Sequence, residues 1–137
     1  MNTLSVIGGR VLKEDLTLEF LDVLIDVDGG LILEVGESLR GDEEIDARGG
    51  LVIPGLVNSH THMAMTLLRG YSDDKPLEEW LKEDIWPIES HLTSEDVYIG
   101  SQLALVELIK SGTTTFCDMY FHMPEVARAT ESSGMRA

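Results

Sequence analysis

The chain has a single cysteine, Cys117, and only ten basic residues against 25 acidic ones among its 137. One cysteine cannot form a disulfide within the chain or a Cys-type metal centre, and the apolar surroundings of Cys117 predict a small buried hydrophobe. A formal net charge of −15 repels phosphate backbones and anionic headgroups, so neither nucleic acid nor a membrane surface is an expected partner. No apolar run reaches the roughly 18 residues that span a bilayer, and residues 1–10 lack the basic start of a signal peptide. A cytoplasmic location is therefore expected. Much of the acidic charge lies in clusters at 37–44 and 78–84, read as solvated surface rather than as a binding site.

What is present is enough for a core, since 43% of the residues are hydrophobic. The first fifty residues show short apolar runs punctuated by turns, which predicts a small antiparallel β region. Its clearest element is a hairpin: Val23 to Val27 enter Asp28-Gly29-Gly30 and the chain returns through Leu31 to Val35. After Gly49-Gly50 the character changes. Leu51 to Val57, interrupted by Pro54-Gly55, form a run of the kind expected for a strand buried on both faces. A helix is predicted from Pro76, with Leu77, Trp80, Leu81 and Ile85 at helical spacing and Trp86-Pro87 as its stop.

A second helix is predicted from an N-cap at Thr93, with Asp96 three residues on and Lys110 and Gly112 at its end. Its apolar face is expected to carry Val97, Leu103, Ala104, Leu108 and Ile109. Residues 113–119 then read as a strand and 124–133 as a shorter helix closed by Gly134. Alternation of strand, helices, strand and helix favours parallel βαβ units, hence an α/β fold.

The pattern with most chemistry is Asn58-Ser59-His60-Thr61-His62, directly after the apolar run. Side chains two apart on a strand face the same way, so His60 and His62 can grip one divalent metal and leave positions open for other ligands. The same spacing is equally compatible with two surface histidines that bind nothing. Weaker candidates are Asp118, near the end of the second strand, read as a structural or supporting carboxylate, and His122 in the loop beyond it. His91 reads as a surface residue. Arg69 reads as an anchor that bonds backbone carbonyls of the loop after the first strand, and Trp80, Trp86, Met63 and Met65 as core or pocket wall.

The run from Gly50 through Pro54-Gly55 to His60-Thr61-His62 resembles the first-strand signature of the amidohydrolase superfamily. Downstream, Met65-Thr66-Leu67-Leu68-Arg69-Gly70, Glu79-Trp80-Leu81 and Trp86-Pro87-Ile88-Glu89 are similar to the 5-methylthioadenosine/S-adenosylhomocysteine deaminase family. This resemblance implies a (β/α)8 barrel of the TIM type, of which residues 51–137 hold the first two βα units. Residues 1–50 would be the N-terminal part of a composite β-sandwich. It implies that His60 and His62 bind Zn2+, with iron and manganese accepting the same donors. It also implies that Glu89 accepts hydrogen bonds from the ribose hydroxyls of a nucleoside, whereas the residue by itself reads as a solvated glutamate before a helix cap.

The implied activity is hydrolytic deamination of the adenine ring of S-adenosylhomocysteine or 5-methylthioadenosine to the inosine-type product and ammonia. An amidohydrolase acting on a guanine or triazine ring, and a non-catalytic truncated fragment, are the alternatives. A closed barrel needs about 250 residues, and those after Val52 are about a third of that. The further metal ligands and the proton-shuttling glutamate implied by the resemblance therefore have no counterpart in the chain. The lone chain is expected to be inactive, and poorly folded, homo-oligomeric or dependent on a missing piece.

Overall fold

A computed structural model of the chain describes residues 2–137. It is mixed α/β and divides into two compact units, Met1–Pro54 and Gly55–Ala137. The division falls after Pro54 rather than at residue 50. The apolar run that the sequence presents as one strand is split by Pro54-Gly55, whose proline has no amide hydrogen to continue a ladder. Leu51–Val52 stays with the first unit, and Leu56–Thr61 opens the second.

The first unit is one five-stranded sheet built on β1 (Thr3–Leu12), β2 (Leu18–Asp26), β3 (Leu31–Gly36), β4 (Glu43–Asp46) and β5 (Leu51–Val52). It is mixed, which corrects the antiparallel expectation. β1 pairs antiparallel with β2, and β2 with β3, but β4 and β5 both run parallel to β1. The short β4 and β5 return to β1 by loops rather than hairpins, and so arrive in its own direction. The β2–β3 hairpin turns at the predicted glycines, and Gly30 takes φ of +63°, a conformation that costs a side-chain-bearing residue energy.

The second unit begins with β6 (Leu56–Thr61), which pairs in parallel with β7 (Thr113–Asp118). Between them lie a 3-10 helix (Met63–Leu68), α1 (Leu77–Glu79), a π-helical segment (Trp80–Ile85), α2 (Trp86–Glu89) and α3 (Ser94–Lys110); α4 (Met123–Ser133) follows β7. Helical backbone continues through Trp86-Pro87 to Glu89, against the predicted stop. The amide of Trp86 bonds five residues back to Leu81, and the wider turn leaves Pro87 in the first turn of α2, where no donor is needed.

α3 starts as its sequence predicts. Thr93 caps it in a reciprocal box with Asp96, and Gly112 follows its end at φ of +81°. Its buried face differs from the expectation: Val97, Gly100, Ser101, Ala104 and Leu105 are inside, while Leu103 and Ile109 are exposed. Gly100 decides this rotation. A Cβ there would lie 2.8 Å from the carbonyl oxygen of Ala64, so only glycine lets α3 lie directly on the 3-10 helix. Thr66 fastens the contact by donating to the Gly100 carbonyl at 2.8 Å.

The core of this unit gathers Met63, Ala64, Val97, Ala104, Leu105, Phe116, Val126 and Ala129. Each large member contributes about 1.5–3 kcal/mol by leaving water. Cys117 is exposed, correcting the buried expectation, because strand alternation turns it away from its buried neighbour Phe116. Leu56 and Val57 are exposed as well, since β6 has β7 on one side only within the described residues. No helix of the described residues is long and apolar enough to cross a membrane.

Candidate functional site

β6 and β7 are parallel, so their C-terminal ends lie side by side, and the chemistry-bearing residues gather there. His60 is within β6, and His62 is the residue just past it, heading the 3-10 helix. Their rings meet edge to face with centroids 4.8 Å apart, so both imidazoles occupy the same end of the strand. The Nδ1 of His62 lies 2.5 Å from the carbonyl oxygen of Met119. A carbonyl only accepts, so Nδ1 is the donor here, and in the neutral ring this places the lone pair on Nε2. Holding one ring nitrogen by a backbone carbonyl is how proteins orient a metal-binding histidine.

Asp118 ends β7 beside this pair. Its Oδ1 accepts from the Met63 amide at 3.1 Å, which fixes the turn of chain that follows His62. Its Oδ2 is buried without any hydrogen-bond partner. Burial pushes the carboxyl's pKa upward, against the opposing pull of the Met63 and Met119 amides and of the two histidines. A buried, unpaired carboxylate oxygen next to two imidazoles fits a site that receives a cation. Among the described residues, no group of three or more His, Cys, Asp or Glu side chains converges as a metal cage. The candidate donors at this strand end are the two imidazoles, with the Asp118 carboxylate beside them.

Glu89, the last residue of α2, reaches the same corner through an aromatic residue that sequence reasoning does not single out. The phenol of Tyr120 donates to Glu89 Oε1 at 2.7 Å, and the Tyr120 ring lies 6.3 Å from that of His62. Burial, with the Glu89 carboxylate beside it, raises the phenol's pKa above its ordinary value, so the hydroxyl stays a donor. The one signal in the sequence is the position of Tyr120, two residues beyond Asp118 at the end of a parallel strand. Aromatic residues are common enough there that position alone does not distinguish one.

Glu89 also lines a cavity of about 460 Å3 with Trp86, Ser90, Leu92, Phe121 and His122. Trp86 is thus pocket wall, while Trp80 donates from Nε1 to the Ser72 carbonyl and Met63 is core. His122 sits at φ of +51°, with its Nδ1 3.2 Å from Ser94 Oγ at the start of α3. His91 is exposed, as expected of a surface residue. Arg69 anchors its loop, but through a two-pronged contact with the Glu107 carboxylate of α3, at 2.9 and 2.6 Å, rather than through backbone carbonyls. The carboxylate's paired oxygens match the guanidinium fork better than single carbonyls do.

Comparison with known proteins places this geometry among relatives. Residues 51–137 match the model of the amidohydrolase family. A 5-methylthioadenosine/S-adenosylhomocysteine deaminase of Natronomonas pharaonis is 58% identical over the whole chain, which covers 32% of that protein. A 5'-deoxyadenosine deaminase of Methanosarcina acetivorans is 58% identical over 81% of the chain and 26% of its own length. Among solved structures, an adenosine deaminase from Xanthomonas campestris with bound zinc superposes with a TM-score of 0.90 at 32% identity, over 98% of this chain and 32% of that one. The chain spans about a third of the length of the curated relatives it matches in full.

Proposed function

Because the chain belongs to the amidohydrolase family, we propose that it forms part of a metal-dependent hydrolase that deaminates the adenine ring of a nucleoside such as S-adenosylhomocysteine or 5-methylthioadenosine. In this reading Gly55–Ala137 are the first two βα units of a (β/α)8 barrel, and Met1–Pro54 belong to a small β-sandwich. The parallel β6–β7 pair with intervening helices, and the share of the relatives that the chain spans, support that architecture.

His60 and His62 would hold the metal, zinc by analogy with the solved relative. When bound, it supplies the activated water that hydrolytic deamination requires. The chain's own groups hold and orient the reacting partners. Met119 holds His62 in the tautomer that offers Nε2. Asp118 fixes the backbone behind the histidines. Glu89 accepts from the vicinal hydroxyls of a ribose and so orients the base, an alignment worth several kcal/mol of barrier.

The observation that carries the reading is the meeting, at one strand end, of two metal-competent imidazoles and a carboxylate tied to them through Tyr120. The whole protein tests it. His60→Ala should abolish metal binding and ammonia release together. Glu89→Ala should keep the metal and lose far more kcat/KM on a nucleoside than on its 2′,3′-dideoxy analogue. Equal losses on the two substrates would show that Glu89 does not read the sugar, and the case for a nucleoside would then rest on the similarity to the deaminases alone.

A further inference from the structure

Three consecutive residues at the end of β7 each grip a different part of the site. Asp118 accepts from the Met63 amide, the Met119 carbonyl accepts from His62, and the Tyr120 phenol donates to Glu89. The first two contacts hold the metal-binding histidines in place. The third reaches across to α2, an element separated from β7 in sequence by all of α3.

Glu89 needs such a grip. Its side chain has three rotatable bonds, it ends a four-residue helix, and a carboxylate at a helix C-terminus meets the negative end of the dipole. No residue of its own element bonds the carboxylate. The phenol at 2.7 Å engages Oε1, and among the described residues the carboxylate has no other partner, which leaves Oε2 for a ligand. Tyr120 is stiff by comparison, with two side-chain torsions, a half-buried ring and packing beside Phe121 at 5.2 Å between centroids.

We propose that Tyr120 is a positioning residue: its phenol holds the Glu89 carboxylate at a set orientation and distance from His62, so that the free oxygen meets the sugar hydroxyls of a nucleoside whose base lies at the histidines. This rests on the reading of Glu89 as the diol acceptor. Tyr120 need not touch the substrate. Its contribution appears only when a diol is present and only while Glu89 is there to be held.

The test uses the whole protein and a binding readout that does not need turnover: calorimetric affinity for the inosine-type product and for its 2′,3′-dideoxy counterpart, on metal-free and zinc-loaded protein. Tyr120→Phe should weaken the product nucleoside by about tenfold or more, the loss expected when a hydrogen bond to a charged group is removed. It should leave the dideoxy ligand and the zinc content unchanged. In a Glu89→Ala background, which leaves the phenol no acceptor, the same substitution should have almost no further effect. Equal weakening of both ligands, or losses that simply add with those of Glu89→Ala, would overturn the proposal and make Tyr120 a packing residue. Should Glu89→Ala itself fail to distinguish the two ligands, the diol reading falls, and the proposal with it. The two failures are separate because one appears in the Glu89 variant alone. If Tyr120→Phe does not fold, Glu89→Asp, which keeps the charge but is one methylene too short to reach phenol and sugar together, should show the same selective loss.

Discussion

Each unit draws an aspartate inward, Asp22 fully and Asp118 only in part, and the two carboxylates are finished differently. Asp22, on β2, accepts from the Gly8 amide at 2.9 Å with Oδ1 and from the Leu39 amide at 3.1 Å with Oδ2, so both oxygens are used, one at the irregularity in β1 and one in the loop after β3. Asp118 uses Oδ1 in the same way, on the Met63 amide, and leaves Oδ2 buried and unpaired. One carboxylate is wholly structural; the other keeps part of its capacity in reserve, where two imidazoles converge. Folding alone favours satisfying every buried acceptor, so an orphan marks a place shaped by something besides stability.

This contrast can be broken by experiment, and the largest effect sets its scale. Phe116→Ala empties the centre of the second unit's core and should destabilise it by about 3–5 kcal/mol in denaturant unfolding. A loss under about 1 kcal/mol would mean that the unit is not packed as described, and that the burial of Asp118 Oδ2 carries no meaning. Next, Asp22→Asn turns an acceptor into a donor that faces a backbone amide, and should cost about 1–3 kcal/mol. Asp118→Asn can keep its one bond to Met63, so its cost in metal-free protein should be smaller, while zinc affinity of the whole protein falls about 10- to 100-fold. Equal stability losses with unchanged zinc affinity would erase the distinction between the two aspartates.

A smaller effect belongs to the cap of α3: Thr93→Ala removes half of the box with Asp96 and should cost about 1 kcal/mol. The smallest concerns exposed carboxylates, which should behave alike in both units. Hydrogen bonds from Arg48 hold the Asp46 carboxyl down at about 2, below its ordinary 3.8, and Thr93 lowers that of Asp96. A depressed folded value means that the stabilisation is present above the unfolded value and disappears as the pH falls through the folded one. Asp46→Asn and the native chain should therefore differ at neutral pH and converge as the pH drops from about 4 to about 2 in acid unfolding. Persistence of the difference below that window would show that Asp46 acts through shape rather than charge.

Much of this was legible in the residues. The hairpin at Asp28-Gly29-Gly30, the cap at Thr93 and the stops at Gly112 and Gly134 are local matters of backbone conformation, and they appear where the sequence predicts them. The corner of the site was partly legible, because His60 and His62 are neighbours in the chain and share a strand end by geometry alone. Tyr120 was not, since its role depends on Glu89, 31 residues away. Nor was the rotation of α3, where apolar residues lie all round the helix and a glycine's close approach to Ala64 selects which of them go inside.

By itself the sequence determined what depends on near neighbours: turn positions, helix ends, the two-residue spacing of the histidines and a family signature dense enough to imply a chemistry. Tertiary structure alone decided what depends on distant chain segments meeting. It divided the apolar run at Pro54-Gly55 between two units, turned β4 and β5 parallel to β1, and brought Met119 to His62 and Tyr120 to Glu89. The physical reason is that a turn or cap is stabilised by contacts within about one helical turn of chain, whereas strand partners and side-chain grips are chosen by which surfaces remain to be covered once those local pieces exist.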